Sequence, residues 1–356
     1  MNYKISILFR AIPLVMAAIC FAYGIYIFSF GNVPDRLTAG PVVFFLGSIC
    51  VALFATAATI IRQIIGTYTT AAKYILPTVG YLFAVVTLCM GLAMVWSGHP
   101  YFFVSGHVVC GLGLIAGCVS TAATASTRFS LIPENSARSL PANDMTPAPN
   151  PKGFTASQGA ALEIVAVAIT IAAWIWAISL LAKSGHSTQY LVAGSVMGGI
   201  ASVCTSLIAL VSSIVRQIRG NYRMSERSIW IWLVLTMGLG VIVWGLVMIM
   251  ALSGHAANFV GYILIGLGLI CLSISSKVIL LAKIWHTNYP LAKRIPIIPV
   301  VTALACLFLA AFLFEASLGN PKFFVPARVL VGFGAICFTL FSIVSILESG
   351  ATKKAA

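Results

Sequence analysis

Ser105-Gly106-His107-Val108-Val109-Cys110-Gly111-Leu112-Gly113-Leu114-Ile115 is an apolar, glycine-dense stretch whose pattern returns four more times along the chain. With Gly106 as origin, its counterparts are Gly40, Gly194, Gly261 and Ala327, at successive spacings of 66, 88, 67 and 66 residues. Seven residues on stand Gly47, Gly113, Ala201, Gly268 and Gly334, and five on stand Phe45, Gly111, Gly199, Gly266 and Gly332. Ten on come Cys50, Ala116, Cys204, Cys271 and Cys337. Twenty-two on come Arg62, Arg128, Arg216 and Lys283, with Ser349 departing from the rule. Five registers that agree at four offsets identify internal repetition.

Outward from that unit, composition sets the solvent. Hydrophobic residues make up 60% of the 356 and charged residues 8%, with a mean hydropathy of +1.05, whereas soluble domains carry about 25% charged residues. Such a chain cannot cover a water-facing surface. The apolar runs reach the ~20 residues a bilayer crossing needs, and lipid obliges every backbone group to be satisfied within the chain. The expected fold is all-α: a polytopic transmembrane bundle of ten helices built as five tandem helical hairpins. First helices are expected over 11–30, 75–96, 159–182, 229–252 and 296–318, second helices over 39–61, 103–127, 190–215, 259–282 and 324–347. Lys4 and Arg10 before the first run resemble a signal peptide. The run is longer than a signal core and aligns as the first helix of a repeat, so it reads as an uncleaved span.

The organisation follows. Residues 1–127 hold two hairpins, 128–158 a Pro-rich cytoplasmic linker, 159–295 two more hairpins, and 296–356 the fifth with a basic tail. Of 21 Lys and Arg residues, 17 fall at the termini, in the longer loops or at the helix ends beside them. The hairpin-turn side holds Arg36, Lys183, Lys322 and Arg328. The positive-inside rule therefore puts both termini in the cytoplasm. The +14 net charge is a topology signal with the lipid bilayer as partner, not a nucleic-acid footprint. Oligomeric state leaves no mark in the sequence.

Small residues at these offsets thin each second helix on two faces. Gly40, Gly47, Gly106, Gly113, Gly194, Gly261, Gly268 and Gly334 are read as packing positions, because close approach drives helix association in lipid. Each second helix is expected between two neighbours. Units with an even number of spans share one orientation, so they relate by an axis along the membrane normal. Whether that axis encloses a cavity or a filled core is left open. A continuous polar-lined cavity favours transport, and a dry core favours a scaffold.

Candidate chemistry is sparse. His99, His186 and His255 occupy equivalent Ser-Gly-His turns and His107 opens a second helix, all expected on the external face. Histidine titrates between about pH 5 and 8, so these four are pH-responsive candidates. Glu315 and Arg328 flank one turn as a candidate intramembrane charge pair. Lys277, four turns into its helix, is expected to snorkel toward the cytoplasm. The nine cysteines lie in apolar runs without metal-ligand spacing, which points to no metal and no cofactor. No nucleotide loop, paired-carboxylate site or nucleophile–base motif appears, so no enzyme and no catalytic residue is expected.

Arg294-Ile295-Pro296-Ile297-Ile298-Pro299-Val300, Arg328-Val329-Leu330-Val331-Gly332 and the tail from Ala335 to Glu348 carry a resemblance to a known family. The chain resembles the YhiM-like inner membrane protein family, whose biochemical function is unknown, over essentially its whole length. The Gly-His pair repeated in that family stands here as Gly106-His107 and is altered to Gly40-Pro41 and Gly194-Ser195. The resemblance implies a bacterial inner (cytoplasmic) membrane location and a link to acid or envelope stress survival, and it supplies no active site. The leading expectation is a channel or transporter for a small solute or ion. The rival is a non-transporting, pH-responsive membrane scaffold or sensor.

Overall fold

The computed structural model describes residues 3–129, 153–252, 258–285 and 294–355. Apolar runs leave the backbone only itself to bond to, and among the described residues each run closes into one helix. These are α1 (Tyr3–Phe30), α2 (Val33–Ile65), α3 (Thr70–Trp96), α4 (Pro100–Ser126), α5 (Ala156–Leu181), α6 (Thr188–Arg219), α7 (Met224–Ala251), α8 (Phe259–Trp285), α9 (Ile297–Gly319) and α10 (Phe324–Ala355). All ten are long and apolar enough to cross a membrane. Several outrun the expected limits: α2 begins six residues earlier and α10 continues through the tail. The linker stretch 130–152 and the turn 253–257 lie outside the described residues.

Local chemistry fixes the ends. Thr155 and Gln158 form a reciprocal capping box that starts α5. Gly66 and Gly220 end α2 and α6 in the left-handed region, at φ 81° and 74°, where a Cβ is costly. Each follows an Arg-Gln pair, and the two glutamines act alike. Gln63 donates to the Ser126 carbonyl at 3.0 Å and Gln217 to the Leu281 carbonyl at 3.1 Å, each tying its helix to the next even-numbered one.

The even-numbered helices form a closed inner ring, α2–α4–α6–α8–α10 and back to α2. Each odd helix lies outside, against its own hairpin partner and the preceding inner helix: α3 on α4 and α2, α5 on α6 and α4, and so on to α1 on α2 and α10. Ser342 near the end of α10 donates to the Phe9 carbonyl near the start of α1, so both chain ends lie at one end of the bundle.

Glycine geometry explains the ring. Origin and offset-seven glycines face their own outer helix. A Cβ on Gly106 would lie 3.1 Å from the Gly91 oxygen, and one on Gly113 2.8 Å from the Leu88 nitrogen. Offset-five glycines face the next inner helix: Gly111 against Ile200, Gly199 against Leu267, Gly266 against Phe333, and Gly332 against Leu46. The two thinned faces are thus an inner–outer and an inner–inner contact, as the sequence spacing required. Outer helices supply matching glycines that the spacing argument passed over, Gly24, Gly91 and Gly245.

Candidate functional site

Helical spacing puts one row of each inner helix on the axis of the ring. At the hairpin-turn end this row lines a cavity of about 280 Å³ to which all five inner helices contribute. Its wall is a layer of β-branched residues two after each origin: Val42, Val108, Val196, Ile263 and Val329. Its rim holds Thr38, Tyr101, Ser105, Thr188 and Gln189. Four residues below the wall, Leu112, Ile200, Leu267 and Phe333 form the floor, and Leu46 fills the matching place, fully buried.

Below the floor the axis is filled. The next turns of the same row bring Ile49, Ile115, Val203, Ile270 and Ile336, then Leu53, Val119, Leu207, Ile274 and Leu340, none more than 4% exposed. Shape-filling apolar layers of this kind exclude water. The cavity is therefore a blind vestibule, apolar and open at one end. One end of the axis thus holds a cavity and the other a filled core, and the cavity is blind and apolar rather than the continuous polar-lined passage named above.

One turn beyond the plug the row reaches Lys277, 2% exposed. Its register mates are Thr56, Ala122, Leu210 and Ile343. No carboxylate stands within 4 Å of its ammonium among the described residues. Lys277 is buried rather than displayed at the surface of the bundle, at a register position that falls on the row facing the axis. Thr56 bonds back to the Ala52 carbonyl at 3.4 Å.

The expected Glu315–Arg328 pair is not formed. Glu315 sits exposed on the outward side of outer helix α9, while Arg328 belongs to inner helix α10 and faces the neighbouring inner helix. Arg328 Nη1 pairs with Asp35 Oδ2 at 3.5 Å, with its guanidinium over the Phe324 ring at 5.2 Å. Asp35 lies in the first turn of α2, where a negative charge suits the helix dipole. The pair stitches the last inner helix to the first, and Tyr23 of α1 stands beside it. Asp35 was legible as an acidic first-turn residue; its partner, across nearly the whole chain, was not.

The histidines separate. His99 and His186 are exposed in turns, each two residues before a rim residue, Tyr101 and Thr188. His255 lies outside the described residues. His107 leaves the expected external set: it is 6% exposed, its ring 4.7 Å from Phe103 and 5.8 Å from Trp176, and its Nδ1 has no hydrogen-bond partner. His107 faces Trp176 of the next outer helix, so its side chain is covered.

At the loop end, Arg216 joins three helices. It meets Glu163 of α5 at 3.3 Å, Glu226 of α7, and the Trp230 ring at 5.5 Å. Beside it Tyr222 is buried, and burial pushes its phenol up to about 12. Burial also raises Tyr68 above the usual tyrosine value. Arg216 thus serves as a clamp among the three helices.

Residues 1–352 match the family described as Protein of unknown function (DUF2776). The chain is 42% identical over 357 aligned residues, 99% of its own length and 100% of the relative's, to Inner membrane protein YhiM of Escherichia coli (strain K12). No solved structure matches. An inner membrane relative of full length and ten membrane-length apolar helices agree on a multi-pass membrane protein.

Proposed function

The chain belongs to the DUF2776 family of proteins of unknown function, and from that premise we propose that it is a non-enzymatic channel or transporter for a small solute or ion in the bacterial inner membrane, held closed. The observation that carries the reading is the vestibule. It lies on the axis, all five hairpins build it, and it ends on a ring of bulky apolar side chains. Hydrophobic constrictions gate by dewetting; a plug of this kind blocks ions and polar solutes until the inner helices part. Small residues at the inner–inner contacts suit such parting, since they leave few interlocking side chains to unpack.

In this reading the basic loop end and both termini face the cytoplasm, and the vestibule opens to the periplasm. The turns of His99 and His186 then stand at its mouth, which is where a response to external acid belongs. Survival under acid or envelope stress is the physiological role that fits. The packed lower axis favours a second reading, a pH-responsive scaffold that moves no solute.

Flux in reconstituted vesicles at two external pH values separates them. The floor variants Leu112→Ser and Leu267→Ser should wet the constriction and raise passage of ions and small solutes about tenfold or more over wild type. Unchanged, background-level flux in folded floor variants would leave only the scaffold. Unaltered pH dependence after His99, His186 and His255 are together replaced by Gln would remove the histidine turns from the mechanism.

A further inference from the structure

We infer that Lys277 is a binding site for a small monovalent anion on the axis of the inner ring, and that an anion is the solute; the second half of this statement rests on the translocator reading above.

Lys277 has no ion-pair partner among the described residues. Its row of the ring is otherwise apolar from the vestibule wall downward, apart from Thr56, whose hydroxyl already bonds to its own helix. Among the described residues the inner helices carry two acidic groups. Asp35 is at the opposite end of the axis and paired with Arg328. Glu348 is near the loop end of α10 and has partners of its own. Neither reaches Lys277. An amine without a counter-charge in the bundle interior is expensive to hold charged, and intramembrane ionisable groups of this kind mark ion and substrate paths.

The site also restricts what that partner is. The one positive charge on this row of the ring is matched by one negative charge; a dianion would leave charge uncompensated. The register mates Ala122, Leu210 and Ile343 offer no polar group to hold a hydrated or branched ion. A small anion that sheds its water, such as a halide or a short-chain carboxylate, fits those limits. Position adds the functional half. Lys277 lies ten residues below the floor residue Leu267 on the same helix, about 15 Å at the rise of an α-helix. An ion moving along the axis meets it, and its charge repels cations at the same point.

The full-length protein is purified in detergent and reconstituted beside Lys277→Met and Lys277→Arg. Thermal midpoints are read in chloride, in acetate and in sulfate. Wild type and Lys277→Arg should be stabilised by chloride or acetate relative to sulfate in a saturable way, and Lys277→Met should not respond. Vesicle flux of chloride, acetate, potassium and glycerol follows, with monovalent anions favoured and reduced about tenfold by Lys277→Met. A midpoint indifferent to anion identity in wild type, or equally responsive in Lys277→Met, overturns the site. Anion-specific stabilisation without flux of any solute keeps the site and defeats the translocator reading instead. Flux of potassium or glycerol in preference to anions overturns the identity of the solute. Lys277→Met removes a buried charge at similar volume, so it should fold; Lys277→Gln stands in if it does not.

Discussion

The five inner and five outer helices are alike in apolarity and opposite in surroundings. Mean hydropathy runs 2.0–2.4 for the inner set and 2.1–2.7 for the outer, yet 78–89% of each inner span is buried against 22–33% of each outer one. Apolarity does not sort helices in lipid, because lipid is as apolar as leucine. Side-chain size and hydroxyl groups do the sorting. The inner helices carry most of the helical glycines and most of the buried serines and threonines, which bond back to carbonyls one turn earlier, as in Ser120 to Ala116 and Ser202 to Gly198. The outer helices turn large residues such as Phe308, Met250 and Leu246 toward lipid.

The largest test of that contrast is at the inner–outer contact. Gly245 and Gly261 touch backbone to backbone; a Cβ on Gly245 would sit 2.6 Å from the Gly261 oxygen. Gly261→Leu should cost about 3 kcal/mol or more, since neither helix has a flexible group to yield. Leu246→Ala on the lipid face should stay within about 0.5 kcal/mol. Unfolding in mixed detergent measures both. Equal effects would mean that packing does not distinguish the two rings.

A middle-sized effect is expected at the seam. Asp35→Asn leaves Arg328 unpaired and should cost about 2 kcal/mol, below the ~3–5 of a fully buried pair because both side chains retain some exposure. Adding Arg328→Met should recover most of the loss, and Glu315→Gln on the outer ring should change nothing measurable. A loss at Glu315 equal to that at Asp35 would restore the pairing that the sequence proposed.

The smallest effect appears only in alkali. Burial raises the Tyr222 phenol from its ordinary ~10 to about 12. The folded protein then holds this proton where the unfolded chain has lost it. Its contribution is fully present below pH ~10 and disappears as pH rises toward ~12. Tyr222→Phe should flatten that decline while leaving neutral-pH stability nearly unchanged. Absorbance titration of the phenolates should show one late tyrosine fewer; loss instead of a phenolate titrating at the ordinary ~10 places Tyr222 in water.

Most of the scaffold was legible and little of the site was. The offsets of Gly106 and Gly111 forecast two thinned faces, since helical geometry turns residue spacing into angle. His107 and Arg328 were misplaced for a related reason. Each stands one residue after an origin, at an angle whose occupant is the next outer or next inner helix, and sequence spacing within one helix says nothing about what lies across the gap. Lys277 was visible as an intramembrane charge, but its burial on the axis required knowing which face turns inward.

By itself, the sequence determined the membrane as solvent, ten spans, their pairing into hairpins, and the faces where backbones approach. Those properties belong to single helices or adjacent pairs, where length, hydropathy and a 3.6-residue period suffice. Only the tertiary structure decided that α10 closes onto α2, that Asp35 answers Arg328, and that one axis holds a vestibule, a plug and a lone lysine. Closure of a ring depends on the angles and distances of all five inner contacts at once, and no local stretch of chain encodes that sum.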